Sequence, residues 1–172
     1  KLPYLVVSGD INGDELTDLI LTHTEGNDNE TQIAFAQGDG TYMLSNVFSH
    51  PGSPTENWTS FDVKIGDLND DEKDDLVWNS VASLASGSPN YVFVGLSNGD
   101  GTFAVSEEIK MPFNGWQNYT FHIADFNGDD RDDLSWNFTY SSGNRTHTSL
   151  TKEDGMPNST LSTTTFPGAG WT

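Results

Sequence analysis

One thirteen-residue motif occurs three times in frame, and nothing else in the chain restricts its fold so strongly. It reads GDINGDELTDLIL at 9–21, GDLNDDEKDDLVW at 66–78 and ADFNGDDRDDLSW at 124–136. The leading aspartates Asp10, Asp67 and Asp125 are 57 and 58 residues apart. Trp58 and Trp116 each stand nine residues ahead of a leading Asp, and Trp171, 55 residues after Trp116, would open a fourth copy. A second turn recurs too: GDGTY at 38–42, GDGTF at 99–103 and a degraded EDGM at 153–156. A period of this length belongs to propellers and solenoids, whose units bury their faces only against their neighbours.

Each copy reads as four short strands. In the second, Phe61, Val63 and Ile65 alternate with polar residues, as do Tyr119, Phe121 and Ile123 in the third; that is the period of a half-buried strand. The acidic motif then leads into an apolar strand. A third strand (NYVFVGLS) and a Gly-bearing turn before a fourth (TFAVSEEI) complete the copy. With 17 Gly, 35 Ser plus Thr and ten Phe, the composition favours strands and turns, and no helix is expected. The expected fold is all-β: a propeller-type array of three four-stranded antiparallel blades, forming part of a larger propeller or repeat assembly. The blades are expected at 1–57, 58–115 and 116–170, with 171–172 opening a further repeat. Lys1 is neither an initiator Met nor the start of a signal-peptide pattern, as expected of a section of a longer protein.

The acidic motifs concentrate charge. Fifteen of the 26 acidic residues fall in three nine-residue loops, and the net charge of −19 follows from only seven basic residues. Within each loop oxygen donors occupy positions 1, 3, 5 and 9: Asp10, Asn12, Asp14 and Asp18; Asp67, Asn69, Asp71 and Asp75; Asp125, Asn127, Asp129 and Asp133. A backbone carbonyl at position 7 can join them. This all-oxygen set suits Ca²⁺ better than Mg²⁺, which demands a near-ideal octahedron. Zinc and copper prefer nitrogen or sulfur; no His lies in the loops and the chain has no Cys. An EF-hand is excluded, since its twelve-residue loop ends in Glu between two helices. Three Ca²⁺ would bring −19 to −13.

The motif and its spacing resemble the FG-GAP or VCBS repeats, calcium-loaded propeller blades of integrin α-subunit heads, fungal propeller lectins and bacterial surface proteins. The resemblance covers all three copies. It implies the ligand positions above, with the main-chain carbonyls of Leu16, Lys73 and Arg131 at position seven, and about three Ca²⁺ as cofactor. One departure recurs: the family's Gly at position six is Glu15, Glu72 or Asp130 here. If that residue takes positive φ, a side chain there is costly.

Other signals bound the function. Strong acidity argues against nucleic acid, and no apolar run approaches the roughly 18 residues of a membrane helix, so no membrane insertion is expected. Four scattered His and no Ser-His-Asp, H-E-x-x-H or phosphate-loop pattern leave nothing catalytic. Six N-x-T sequons, at Asn29, Asn57, Asn118, Asn137, Asn144 and Asn158, exceed the about one or two that chance gives. The repeated Trp are expected to pack blade on blade, with Trp58 and Trp116 the candidates for a ligand platform. The expectation is a non-catalytic, calcium-stabilised glycoprotein module, extracellular or at the cell surface, for adhesion or recognition of glycan or protein. A structural subunit of a surface filament and an accessory propeller of a polysaccharide-acting enzyme remain open beside it. Its outer faces, expected around Val6, Leu19 and Ile33 at one end and Phe138 and Leu150 at the other, lack a polar cap and call for further blades or identical subunits as partners.

Overall fold

Where apolar residues alternate and turn residues punctuate, antiparallel ladders form. A computed structural model describes residues 5–25, 28–51, 61–80, 90–112, 119–141 and 143–167, and strands are the only regular elements among them. The first sheet contains β1 (Leu5–Gly9), β2 (Asp18–Glu25), β3 (Asp28–Ala36), β4 (Tyr42–Leu44) and β5 (Phe48–Pro51). The second contains β6 (Phe61–Gly66), β7 (Asp75–Ser80), β8 (Asn90–Ser97), β9 (Phe103–Val105) and β10 (Ile109–Met111). The third contains β11 (Thr120–Ala124), β12 (Asp133–Tyr140), β13 (Gly143–Ser149) and β14 (Ser162–Pro167). Each is an antiparallel meander in chain order, so the architecture is all-β with three blade-like sheets in tandem.

The fourth strand of the first two sheets is split, which the alternation in TFAVSEEI does not reveal. β4 and β5 both pair with β3, and β9 and β10 both pair with β8. At the break a serine side chain substitutes for the ladder: Ser45 Oγ accepts the Ile33 N–H at 3.0 Å and Ser106 Oγ that of Val94 at 3.0 Å.

The sheets bury their faces on one another. Ile11, Ile20, Ile33 and Phe35 of the first pack on Val63, Leu76, Trp78, Phe93 and Phe103 of the second. Val77, Val92, Val94 and Met111 on the far side of the second pack on Phe121, Leu134 and Trp136 of the third. The second sheet thus has a near face toward the first and a far face toward the third, and the equivalent faces of the other two sheets are called near and far likewise. Trp78 and Trp136 are core residues of these junctions, and Trp136 donates its Nε1–H to Asn79 Oδ1 across the second junction at 3.0 Å. Fully burying residues of this size stabilises by roughly 1.5–3 kcal/mol each, energy no single sheet could gain alone. Two expectations about the outer faces are corrected. Ile33 is fully buried on the far face of sheet one, because the period-2 register turns it toward sheet two. Phe138 shares the Trp136 side of β12 and packs on Tyr119 with ring centres 5.1 Å apart.

Candidate metal centres

The three acidic loops join the first two strands of each sheet, and their position-nine aspartates are the first residues of β2, β7 and β12. Their conformation is set by the leading Asp, which collects the loop's own amides. Asp10 Oδ1 accepts N–H from Gly13 (2.8 Å) and Asp14 (3.1 Å) while Oδ2 accepts from Glu15 (2.7 Å). Asp125 repeats this with Gly128, Asp129 and Asp130 (3.1 Å), and Asp67 repeats the bonds from positions five and six, Asp71 and Glu72 (2.8 Å). The position-five carboxylates each accept the position-seven N–H: Leu16 to Asp14 at 2.9 Å, Lys73 to Asp71 at 3.1 Å, Arg131 to Asp129 at 3.2 Å.

Coiling this tightly takes left-handed residues at position six: Glu15 (φ 66°), Glu72 (64°) and Asp130 (67°). Position four is left-handed too, as Gly13 and Gly128 in two loops but as Asp70 (59°) in the second. A non-glycine in this region costs on the order of 1–2 kcal/mol, so the loops hold a strained path that the amide cage around the leading Asp stabilises.

The closing aspartates do more than face the loop. Asp18, Asp75 and Asp133 are fully buried, and each bonds two backbone amides. One belongs to position two: Ile11, Leu68 and Phe126 at 3.1, 3.1 and 3.2 Å. The other lies at the end of the third strand or just past it: Ala36, Ser97 and Thr151, each at 2.8 Å. Burial drives all three carboxyls upward against the pull of those amides, with the neighbouring loop carboxylates adding to it. Asp75 reaches about 7.

The donor set is all oxygen, as a hard cation requires. Asn69 Oδ1, at position three of the second loop, is buried and has no hydrogen-bond partner, the state of an acceptor that lacks its ligand. The loops are not ready-made carboxylate clusters, however: among the described residues, no three His, Cys, Asp or Glu side chains group as a metal site. The second oxygen of each position-five Asp is held locally, by Asn12 Nδ2 (3.0 Å), by Lys73 Nζ (2.9 Å) and by the Arg131 guanidinium. The residues fit calcium in chemistry, on condition that those groups give way.

Adjacent loops are joined by a residue the spacing argument passed over. At position eight, Asp74 donates its N–H to Asp10 O (2.6 Å) and accepts the Asp10 N–H on Oδ2 (2.7 Å). Asp132 does the same for Asp67, its N–H donating to Asp67 O at 2.7 Å and its carboxylate accepting the Asp67 amide. The clasp fits only because a glycine precedes both clasped aspartates, Asp10 and Asp67. A Cβ on Gly9 would stand 2.1 Å from Ile65 Cδ1 and 2.2 Å from Asp74 Oδ2; one on Gly66, 2.2 Å from Asp132 Oδ2. The signal was present in the repeats as Asp at position eight in two copies and Gly ahead of position one in two copies.

Of the other sequence candidates, Trp58, Trp116, Asn57 and Asn118 lie outside the described residues. Asn158 is exposed, Asn144 is half-buried, and Asn29 lies on β3. Asn137, also half-buried, donates its Nδ2–H to Thr146 Oγ1 at 2.9 Å. The FG-GAP-like repeat family matches residues 10–78, from the first acidic loop through the second to Trp78, a full period of the repeat. No curated protein matches the chain.

Proposed function

From the premise that residues 10–78 are an FG-GAP-like repeat, we propose that the chain is a non-catalytic recognition or adhesion module of an extracellular or cell-surface glycoprotein, its blades stabilised by calcium. The observation that carries the calcium reading is the recurrence of one strained, oxygen-lined loop in all three sheets, with the buried, unpartnered Asn69 Oδ1 at position three of the second. Asp10, Asn12, Asp14, the Leu16 carbonyl and Asp18 would hold the first ion, and the equivalent residues of the other loops the second and third. Bound there, the ion would neutralise mutually repelling carboxylates and cross-link a chain that has no disulfide. The leading Asp, through its amides, sets the loop path; the closing Asp ties the loop to the third strand.

Recognition rests on the blade scaffold, on the sequons, and on an apolar near face of the first sheet, where Val6, Tyr42 and Leu44 are exposed. Such a surface marks a contact, and further blades of the same polypeptide or identical subunits are the partners proposed for it. The test is thermal unfolding of chelator-treated protein with and without added cation. Ca²⁺ should raise the Tm and Mg²⁺ should restore it poorly; a melting curve indifferent to Ca²⁺ refutes the reading. Intact-mass analysis of native material should show added sugar, and a bare polypeptide would remove the glycoprotein part alone.

A further inference from the structure

The two junctions inside the chain define what a sheet needs in order to carry the next one, and the far face of the third sheet lacks it. In the second sheet that face is centred on Val77, Val92 and Val94, all fully buried, with Ile109 beside Val92 across the ladder; the first sheet has Ile20, Ile33 and Phe48 at three of these points and the buried Thr31, bonded to Thr22, at the fourth. Register places Ser135, Thr146, Thr148 and Thr164 at the same four points of the third sheet. Ser135 and Thr148 face each other with oxygens 3.4 Å apart, and Asn137 bonds Thr146, so the hydroxyls satisfy one another within the face. Among the described residues, apolar side chains persist only at its margins: Phe126 and Leu150 at the loop end, 50% and 41% exposed, and Phe166 at the other end, 51% exposed. A protein interface has an apolar centre and a polar rim; this face has the reverse.

The clasp is blocked as well. Ala124 occupies the place of Gly9 and Gly66. Its Cβ fills the space in which Asp74 and Ile65 sit against sheet one, and Asp132 and Ile123 against sheet two, where an added Cβ approaches within 2.1–2.7 Å. Two sequons, Asn137 and Asn144, lie on this same face, since they share the Ser135 and Thr146 register.

We propose that the third sheet is a capping blade: its far face is built to meet water, and no blade, of this polypeptide or of another copy, stacks on it. Arrays of units that lack a core of their own end in a polar outer face of this kind. Among the described residues the array is therefore one-ended, with its apolar contact surface at the first sheet. This goes beyond the calcium reading and does not depend on it.

Thr148→Arg and Thr164→Arg, made separately in the protein with its full natural sequence, test the proposal; neither removes a sequon. Val94→Arg, at the point equivalent to Thr148, is the control for a covered face and should unfold the protein or lower its Tm by more than about 10 °C. With a water-facing cap, both threonine variants keep the parent's light-scattering mass and melt within about 4 °C of it. A larger fall in Tm, or a change of particle mass, for either variant overturns the proposal.

Discussion

Gly66→Ala places one methyl group at the clasp between the second and third sheets, and its cost can be worked from the distances. Gly66 has φ outside the left-handed region, so Ala suffers no backbone strain and gains about 0.4–1 kcal/mol from a stiffer unfolded chain. Against this, the new Cβ lies 2.2 Å from Asp132 Oδ2 and 2.7 Å from Ile123 Cγ2, distances that cannot persist. Moving Asp132 breaks its bond to the Asp67 amide, worth about 1.5–3 kcal/mol for a charged acceptor. Displacing the packed Ile123 adds about 1–3 kcal/mol of overpacking. The net is a loss of about 2–5 kcal/mol, or a Tm lower by roughly 5–15 °C for a chain of this size. Ala124→Gly, its mirror at the third sheet, should cost under about 1 kcal/mol, because nothing is relieved. Differential scanning fluorimetry reads both. Asp132→Ala should recover part of the Gly66→Ala loss in the double variant, since the two share one clash. A Gly66→Ala protein melting within 2 °C of the parent would refute the clasp.

The Asp75 carboxyl, pushed by burial from 3.8 to about 7, binds a proton more tightly in the folded chain than in the unfolded one. Its contribution is fully present below pH 3.8 and is lost as pH rises to about 7, a total of about 4 kcal/mol; urea unfolding in chelator should show that decline, and Asp75→Asn should flatten it. Lys73→Met should raise the calcium affinity of the second loop by up to about fivefold by freeing Asp71 Oδ2 from its partly exposed ion pair, checked by terbium luminescence displaced with Ca²⁺. Trp136→Phe should cost about 1–3 kcal/mol in urea unfolding, because it leaves the buried Asn79 carbonyl without the indole N–H.

Much of the architecture was legible because local pattern and repeat pointed the same way. Val63 and Ile65 alternate with polar neighbours and face the junction core, as period-2 reading requires, and the thrice-repeated apolar strand after each acidic loop marked the second strand of each sheet. What escaped reading depends on contacts between copies. The far-face placement of Ile33 follows from register against sheet two, which a single strand does not disclose. The clasp of Asp74 and Asp132 joins residues 64 and 65 positions apart, and each had the appearance of one more carboxylate in an acidic run. The buried role of Asp75 as a tie to the third strand was hidden likewise, because a loop acceptor and a metal ligand use the same side chain. The split at Ser45 and Ser106 needs only one hydroxyl to replace a ladder partner, a change too small to interrupt an apolar pattern. Read from the sequence alone, the outer face at the third sheet was left without a polar cap, because only register shows that Ser135, Thr148 and Thr164 share it.

Calcium content per chain tests the central claim most directly. After equilibrium dialysis against micromolar Ca²⁺, atomic emission should count three ions per chain in the parent and two in Asp67→Ala. A count near zero, or one that Asp67→Ala leaves unchanged, would contradict the account.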